Sequence, residues 1–308
     1  MGSNPTATAI WFEGFVAMKM HDDEFDITAA MVESLVAEQF PEWSGLPLRA
    51  VESSGTVNAH FRLGDQLLVR LPRIASGAEG VEHENQWLPR IAPHVLVAIP
   101  EVRGMGLPSE LFPYPWSIRT WVDGSNPDSG SDAADIALAL ELARFISDLQ
   151  RVDTSTAPPA YRGGPLAEWD ESVRSAITDL GGRIDAASVS AAWHRSLQAT
   201  RWEGDPVWVH SDLMPGNLLV SGGHLVGVID FETAGVGDPA CDLMPAWNLM
   251  SAPQRRTFRA ALDVDDATWL RGQGWALAQA LVALPYYWKT NPAMVTTANY
   301  ALRQVLAD

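Results

Sequence analysis

The chain has 308 residues and a formal net charge of −17, from 21 Lys and Arg against 38 Asp and Glu. Hydrophobic residues make up 47% and charged residues only 19%, enough apolar material for a sizeable core and too much for a disordered polyelectrolyte. The acidity argues against a nucleic-acid binder, which needs a basic face, and the single cysteine, Cys241, excludes an internal disulfide framework or a cysteine zinc site and fits a reducing compartment, the cytoplasm.

No run of 18 or more apolar residues exists, so no membrane span is expected. Residues 1–18 read as a leader or added segment, with Met18 and Met20 as alternative starts, and carry no fold argument. Helical spacing of apolar residues predicts a helix over 27–40, ended by Pro41. A strand from Arg49 to Ser53 leads into the turn-like SSGTVN, and runs at 59–63 and 66–71 around Gly64-Asp65 predict a hairpin. A helix over 77–92 holds Glu82, Glu84 and Trp87. Strands follow near 100–106 and 116–122. The sequence predicts a strand-rich lobe over 19–122, a hinge at 123–131 (DGSNPDSGS) and a helical lobe over 132–308. Helices are expected at 132–152, 166–180, 187–200 and from 240 onward, with short β segments at 207–210, 217–220 and 225–229. This is an α+β plan of two lobes, and clefts between such lobes favour ligands.

The stretch VWVHSDLMPGNLLVSGGHLVGVIDFETAGVGDPACDL (207–243) carries the chemistry. His210, Asp212 and Asn217 lie on a loop between two apolar strands, and Asp230 ends the next strand, 18 residues after Asp212. Two short strands flanking such a loop can bring all four to one point. A carboxylate with an amide oxygen is suitable hard-oxygen ligation for Mg²⁺. A second carboxylate, free of the metal, can accept a proton from an attacking hydroxyl. These are the parts that phosphoryl transfer needs. Turn formation explains each polar residue singly but not the joint spacing. His210 reads as a histidine that hydrogen-bonds the loop backbone. Asp238, before Pro239, reads as a helix cap, and Asp242 either braces the loop or reaches substrate.

His210-x-Asp212-x4-Asn217, followed by Ile229-Asp230-Phe231 and Gly237-Asp238-Pro239-Ala240-Cys241-Asp242-Leu243, resembles the catalytic and metal-binding segments of the aminoglycoside phosphotransferase family, antibiotic kinases with a protein-kinase-like fold. The resemblance implies a two-lobed fold with a small β-rich N-lobe and a larger helical C-lobe. It makes Asp212 the catalytic base and Asn217 and Asp230 the Mg²⁺ ligands, with His210 supporting the loop. ATP or GTP would be the phosphoryl donor. Ser54, Gly55 and Asn58 stand where a kinase folds a loop over phosphates, although the full G-x-G-x-x-G is missing and a plain hairpin turn explains them as well. The usual strand lysine is absent, because the only two lysines are Lys19 and Lys289. Arg70 in LLVRLPR takes its place, able to grip phosphate through two parallel hydrogen bonds, with Glu84 as its partner. An exposed strand arginine and an exposed helix glutamate are the plainer alternative. Backbone groups around Arg119 to Trp121 (PWSIRTWVDG) would meet the nucleotide base.

Most of the thirteen tryptophans are expected in the core. Glu168, Asp170, Glu171 and Glu232 are the acidic candidates for the acceptor side, and solvated helix faces explain most of them equally well. The reading is a kinase that phosphorylates a hydroxyl of an aminoglycoside or macrolide antibiotic, with the net charge favouring a cationic acceptor. The alternatives are a metabolic kinase for choline, homoserine or a sugar amine, a protein kinase, and a non-catalytic nucleotide-binding module. The short stretch from Asp230 to Asp238 and the lack of an Ala-Pro-Glu segment speak against the protein kinase. The joint presence of Asp212, Asn217 and Asp230 speaks against the binding module.

Overall fold

The hairpin at Gly64-Asp65 organises the first half of the chain. The computed structural model describes residues 24–51, 57–130 and 136–308. Strands β1 (Leu48–Ala50), β2 (Asn58–Leu63), β3 (Leu67–Pro72), β4 (Val102–Gly106) and β5 (Trp116–Thr120) form one antiparallel sheet in the order β1-β2-β3-β5-β4. Side chains alternate between the two faces of a strand, so register decides what each face buries. The pairs Ala59↔Leu71, Phe61↔Val69 and Val69↔Ile118 put an apolar set on one face. Helix α1 (Ala29–Gln39) covers it with Val32, Leu35 and Val36. The pair Arg70↔Ser117 falls on the other face, with Arg119 two residues further along β5.

That second face meets helix α2 (Ser76–Ile91). Its buried stripe Val81, Glu84, Leu88 and Ile91 follows helical spacing. The C-terminal half of α2 belongs to a different core: Trp87 lies 5.3 Å, ring to ring, from Trp208. Trp87, Leu88 and Ile91 thus join the helical region, while Glu84 stays under the sheet. One helix links the two halves.

The helical half comprises α3 (Ile136–Leu149), α4 (Asp170–Leu180), α5 (Ala186–Leu197), the short α6 (Pro245–Asn248), α7 (Ala252–Leu262), α8 (Asp266–Tyr287) and α9 (Pro292–Ala307). Helix α8 is buried all round from Arg271 to Leu281, the pattern of a central core helix. Trp193, Trp208, Trp247 and Trp275 are fully enclosed, while Trp202 is exposed. Two ribbons interrupt the helices. Strand β7 (Leu218–Ser221) pairs with β8 (His224–Val228), and β6 (Val207–Val209) pairs with β9 (Gly235–Gly237). Strand β9 lies outside the β segments expected from the sequence. It forms because residues 158–163 pack against it closely: a Cβ on Gly237 would lie 2.8 Å from the Gly163 carbonyl oxygen. Among the described residues no helix is long and apolar enough to cross a membrane.

Candidate active site

The loop between β6 and β7 carries His210, Asp212 and Asn217. Its entry is strained at Ser211, with a φ of 65°, and the chain just after β8 is strained at Asp230, with a φ of 67°, a region where non-glycine residues are uncommon. Buried hydrogen bonds impose this shape. Asp242 accepts from the His210 amide at 2.7 Å and from the Ser211 amide at 2.9 Å, and the Ser211 hydroxyl donates to the Thr233 carbonyl at 2.7 Å. Asp242 is fully enclosed, and burial pushes its carboxyl up to about 6 against the opposing pull of His210 and the two amides. With both oxygens engaged it braces the loop.

His210 is fully buried. One ring nitrogen, Nε2, lies 3.1 Å from the Ile229 carbonyl, and the other, Nδ1, lies 3.3 Å from the Asp212 amide. Its ring meets Phe231 edge-on at 4.6 Å. Both nitrogens thus face backbone groups, one at Ile229 and one at Asp212.

Asp212 presents its carboxylate beside the cleft. Arg162 Nη1 donates to Oδ1 at 3.0 Å, and Asn217 Nδ2 donates to Oδ2 at 3.1 Å and to the Asp212 carbonyl at 2.9 Å. The Asn217 carbonyl accepts from the Ile229 amide at 2.9 Å, which sets Asn217 against the strand end bearing Asp230. His210, Asp212, Asn217 and Asp230 therefore surround one point.

Across the cleft lies a cluster of charges. Glu84, fully buried, accepts from Arg70, from Arg119 and from the Phe231 amide, the last at 2.8 Å. Burial alone would raise its carboxyl; Arg119 and then Arg70 outweigh that and hold it below the usual range. Arg70 also pairs with Asp230 at 3.1 Å and with Glu232. Arg70 and Glu84 are thus interior groups, which overturns the exposed alternative. Glu232 is a correction too. Phe231 turns into the core toward Phe145, and Glu232 reaches the sheet, where it pairs with Arg70, not the acceptor side. There Glu232 accepts from Asn58 Nδ2 at 2.8 Å and packs on α2, where a Cβ on Gly80 would lie 2.6 Å from its carboxyl carbon.

The base-contacting positions also change. Arg119 sits in interior strand β5, paired with Leu68 on one side and Val102 on the other, so its peptide groups serve the sheet. The Trp121 amide donates to the Gln66 carbonyl at 2.7 Å, and its indole Nε1 donates to Asp123. The Arg119 peptide groups and the Trp121 amide are thus engaged within the sheet. Ser54 and Gly55 lie outside the described residues. Asp170, an acceptor-side candidate, is taken by Arg174 and by the Trp193 indole, and these bonds hold its carboxyl low. Sequence reasoning missed Arg162, which lies 50 residues before Asp212 in PAYRGG with no motif to mark it.

With this geometry in place, relatives can be named. The model of a family described as the phosphotransferase enzyme family matches residues 50–280. The chain belongs to this family. Family members similar to it include the aminoglycoside 3'-phosphotransferase of Escherichia coli, 25% identical over 160 residues, or 47% of this chain. The chain spans 57% of the length of that relative. Among solved structures of the family's fold, the GDP and kanamycin complex of APH(2")-IIia superposes with a TM-score of 0.72 at 21% identity, covering 89% of this chain and 97% of that one. The macrolide 2'-phosphotransferase MphH from Brachybacterium faecium gives a TM-score of 0.61 at 24% identity, covering 88% and 97%. The fold is the kinase-like fold of these phosphotransferases, a small antiparallel sheet beside a helical half.

Proposed function

We propose that this chain transfers the γ-phosphoryl group of ATP or GTP to a hydroxyl of an antibiotic of aminoglycoside or macrolide type. The observation that carries the reading is Asp212: one oxygen held by Arg162, the other by Asn217, beside Asp230 on a braced loop. Membership of the family, and relatives named for aminoglycosides and macrolides, support the acceptor class. The nucleotide enters on the sheet side and the acceptor on the helical side. A nucleotide donor suits a cytoplasmic reaction.

Asp212 accepts the proton of the acceptor hydroxyl as its oxygen attacks phosphorus, a role worth roughly 10²–10⁴ in rate. His210 and Asp242 hold Asp212 in place through the loop backbone. Arg70 offers charge to the phosphates from β3, tied back by Glu84.

The residues fit Mg²⁺. Asn217 spends Nδ2 on Asp212, which leaves Oδ1 as its ligating atom, and the Asp230 side chain is 43% exposed. Carboxylate oxygens of Glu84, Asp230 and Glu232 come within 4.8 Å of one another, but Glu84 is spent on two arginines and the Phe231 amide. Asn217 and Asp230 are therefore the proposed ligands, and one or two protein oxygens suit an ion that takes the rest from phosphate and water. In the cluster, Arg70 and Arg119 face three carboxylates, leaving one negative charge uncompensated. An incoming polyphosphate thus needs a cation of its own, and Mg²⁺ supplies that neutralisation.

The test is a phosphorylation screen by mass spectrometry over aminoglycosides, macrolides, choline, homoserine and sugar amines, each with ATP and with GTP. A mass gain of one phosphate on an antibiotic is the expected result. A gain confined to choline, homoserine or a sugar amine would assign a metabolic kinase instead.

A further inference from the structure

We propose that Arg162 is a catalytic residue: it holds Asp212 through Nη1 while its remaining N–H groups bind the phosphoryl group in transfer. The proposal rests on the phosphotransferase reading above. It begins with how rigidly Arg162 is placed. Residues 158–163 run alongside β9, bridged to it at Pro159↔Val236. Pro158 accepts from the Val236 amide at 2.8 Å, the Ala160 amide donates to Val236 at 3.1 Å, the Tyr161 amide donates to Thr233 at 3.1 Å, and Gly163 accepts from the Asp238 amide at 2.8 Å. The guanidinium lies over the Tyr161 ring at 5.1 Å and near the Trp169 ring at 5.9 Å, and Trp169 rests on the buried Trp275. Aromatic faces orient a guanidinium without consuming its donors.

The donor count then points to a ligand. A guanidinium has five N–H groups. Nη1 serves Asp212 Oδ1 at 3.0 Å and the Ser211 carbonyl at 3.2 Å. Nε is buried with no acceptor among the described residues, whereas Nη2 makes no described hydrogen bond and is not enclosed, so it is open to an arriving ligand. A buried unused donor is costly unless something arrives to take it. The catalytic loop HSDLMPGN has no lysine or arginine, and two positions after Asp212 stands the buried Met214. Arg70, which serves the donor phosphates from β3, is shared among Glu84, Asp230 and Glu232, and Arg119 is engaged with Glu84.

The reacting atoms must come to this place. The acceptor oxygen sits within hydrogen-bond reach of Asp212, and phosphorus lies about 3–3.5 Å beyond it. The equatorial phosphoryl oxygens then come within reach of a guanidinium bonded to the same carboxylate. In the step, the acceptor O–H proton goes to Asp212, an acceptor O–P bond forms, and the bond from phosphorus to the bridging oxygen breaks, releasing the nucleoside diphosphate. Negative charge develops on the transferring oxygens, where Arg162 donates.

The experiment compares wild type, Arg162→Ala, Arg162→Lys and Asp212→Asn with the acceptor that the screen identifies. Arg162→Ala should lower kcat about 10²–10³-fold, as loss of a preorganised donor does, with the nucleotide KM changed less than about threefold. Added guanidinium ion should restore at least about tenfold of the activity of Arg162→Ala and none to Asp212→Asn, and Arg162→Lys should keep part of the rate. The loop has its own brace in Asp242, so the variants should fold, and a misfolded protein would not answer to guanidinium. Activity of Arg162→Ala within about threefold of wild type, or a loss that neither lysine nor guanidinium relieves, would overturn the proposal alone. A wild type inert with every acceptor and both nucleotides would overturn the phosphotransferase reading and this proposal with it.

Discussion

Glu84 and Asp242 are both fully enclosed carboxylates at the cleft, one on each side, and they are accommodated in different ways. Glu84 has two guanidinium groups and one amide for company, and its carboxyl is held low. Asp242 has two amides and no ion pair, and its carboxyl rises to about 6. The contrast shows what each wall is built for. The sheet side is a cluster of full charges, two guanidinium groups against three carboxylates, able to exchange partners when a polyphosphate and its cation enter. The loop side uses a buried acceptor to fix backbone positions, which suits a base that must stand still.

The largest effect that breaks this contrast is removal of the sheet-side anion. Glu84→Ala leaves the buried Arg119 without its carboxylate, while Arg70 keeps Asp230 and Glu232, and should cost about 3–5 kcal/mol. A calorimetric scan should show the melting temperature falling by on the order of 10 °C. A shift under about 2 °C would mean that the cluster is not balanced through Glu84.

The next effect is in pH dependence, and it has opposite signs on the two walls. Asp242 titrates at about 6 when folded against an ordinary 3.8, so its burial penalises the folded state above that range. The penalty disappears as pH falls from 6 toward 3.8, and wild type should gain up to about 3 kcal/mol relative to Asp242→Asn across that window. Glu84 is held below 4.5, so its contribution is present above that value and is lost as pH falls through its lowered folded value. Urea melts against pH should therefore give wild type minus Asp242→Asn and wild type minus Glu84→Gln slopes of opposite sign. Parallel slopes would contradict the account.

A smaller effect separates the two proposed metal ligands. Asp230→Ala should weaken Mg²⁺-dependent nucleotide binding more than Asn217→Ala, because a carboxylate brings a full charge and an amide only a dipole. Mg²⁺ titrations against bound nucleotide would show it, and equal or absent effects would remove the pair as ligands. The smallest expected change is Ser211→Gly. It relieves the left-handed strain at Ser211 but loses the hydroxyl bond to Thr233, so stability should move by less than about 1 kcal/mol in urea melts.

Much of this was legible in the sequence, for identifiable reasons. The catalytic loop could be read because Asp212, Asn217 and Asp230 are tied by short chain segments, and local spacing constrains them. Arg70 could be placed because a Gly-Asp turn fixes the register of the strand that bears it. The exchange of Glu232 from the acceptor side to the sheet side could not be read, since it depends on a positive φ at Asp230 and on where Phe231 finds its core. Arg162 was equally hidden, because a pairing between residues 158–163 and β9 brings it to Asp212, and the glycines that permit this look like turn formers. The role of Asp242 was open until its two amide partners appeared.

The central claim is that Asp212 accepts a proton on a loop fixed from behind by Asp242 and His210. Transfer of labelled γ-phosphate to the identified acceptor, measured for wild type and Asp212→Asn with nucleotide binding followed in parallel, tests it most directly. The account predicts labelled product from wild type, a rate lowered about 10²–10⁴-fold in Asp212→Asn, and nucleotide affinity close to unchanged. Equal rates from the two proteins would contradict it.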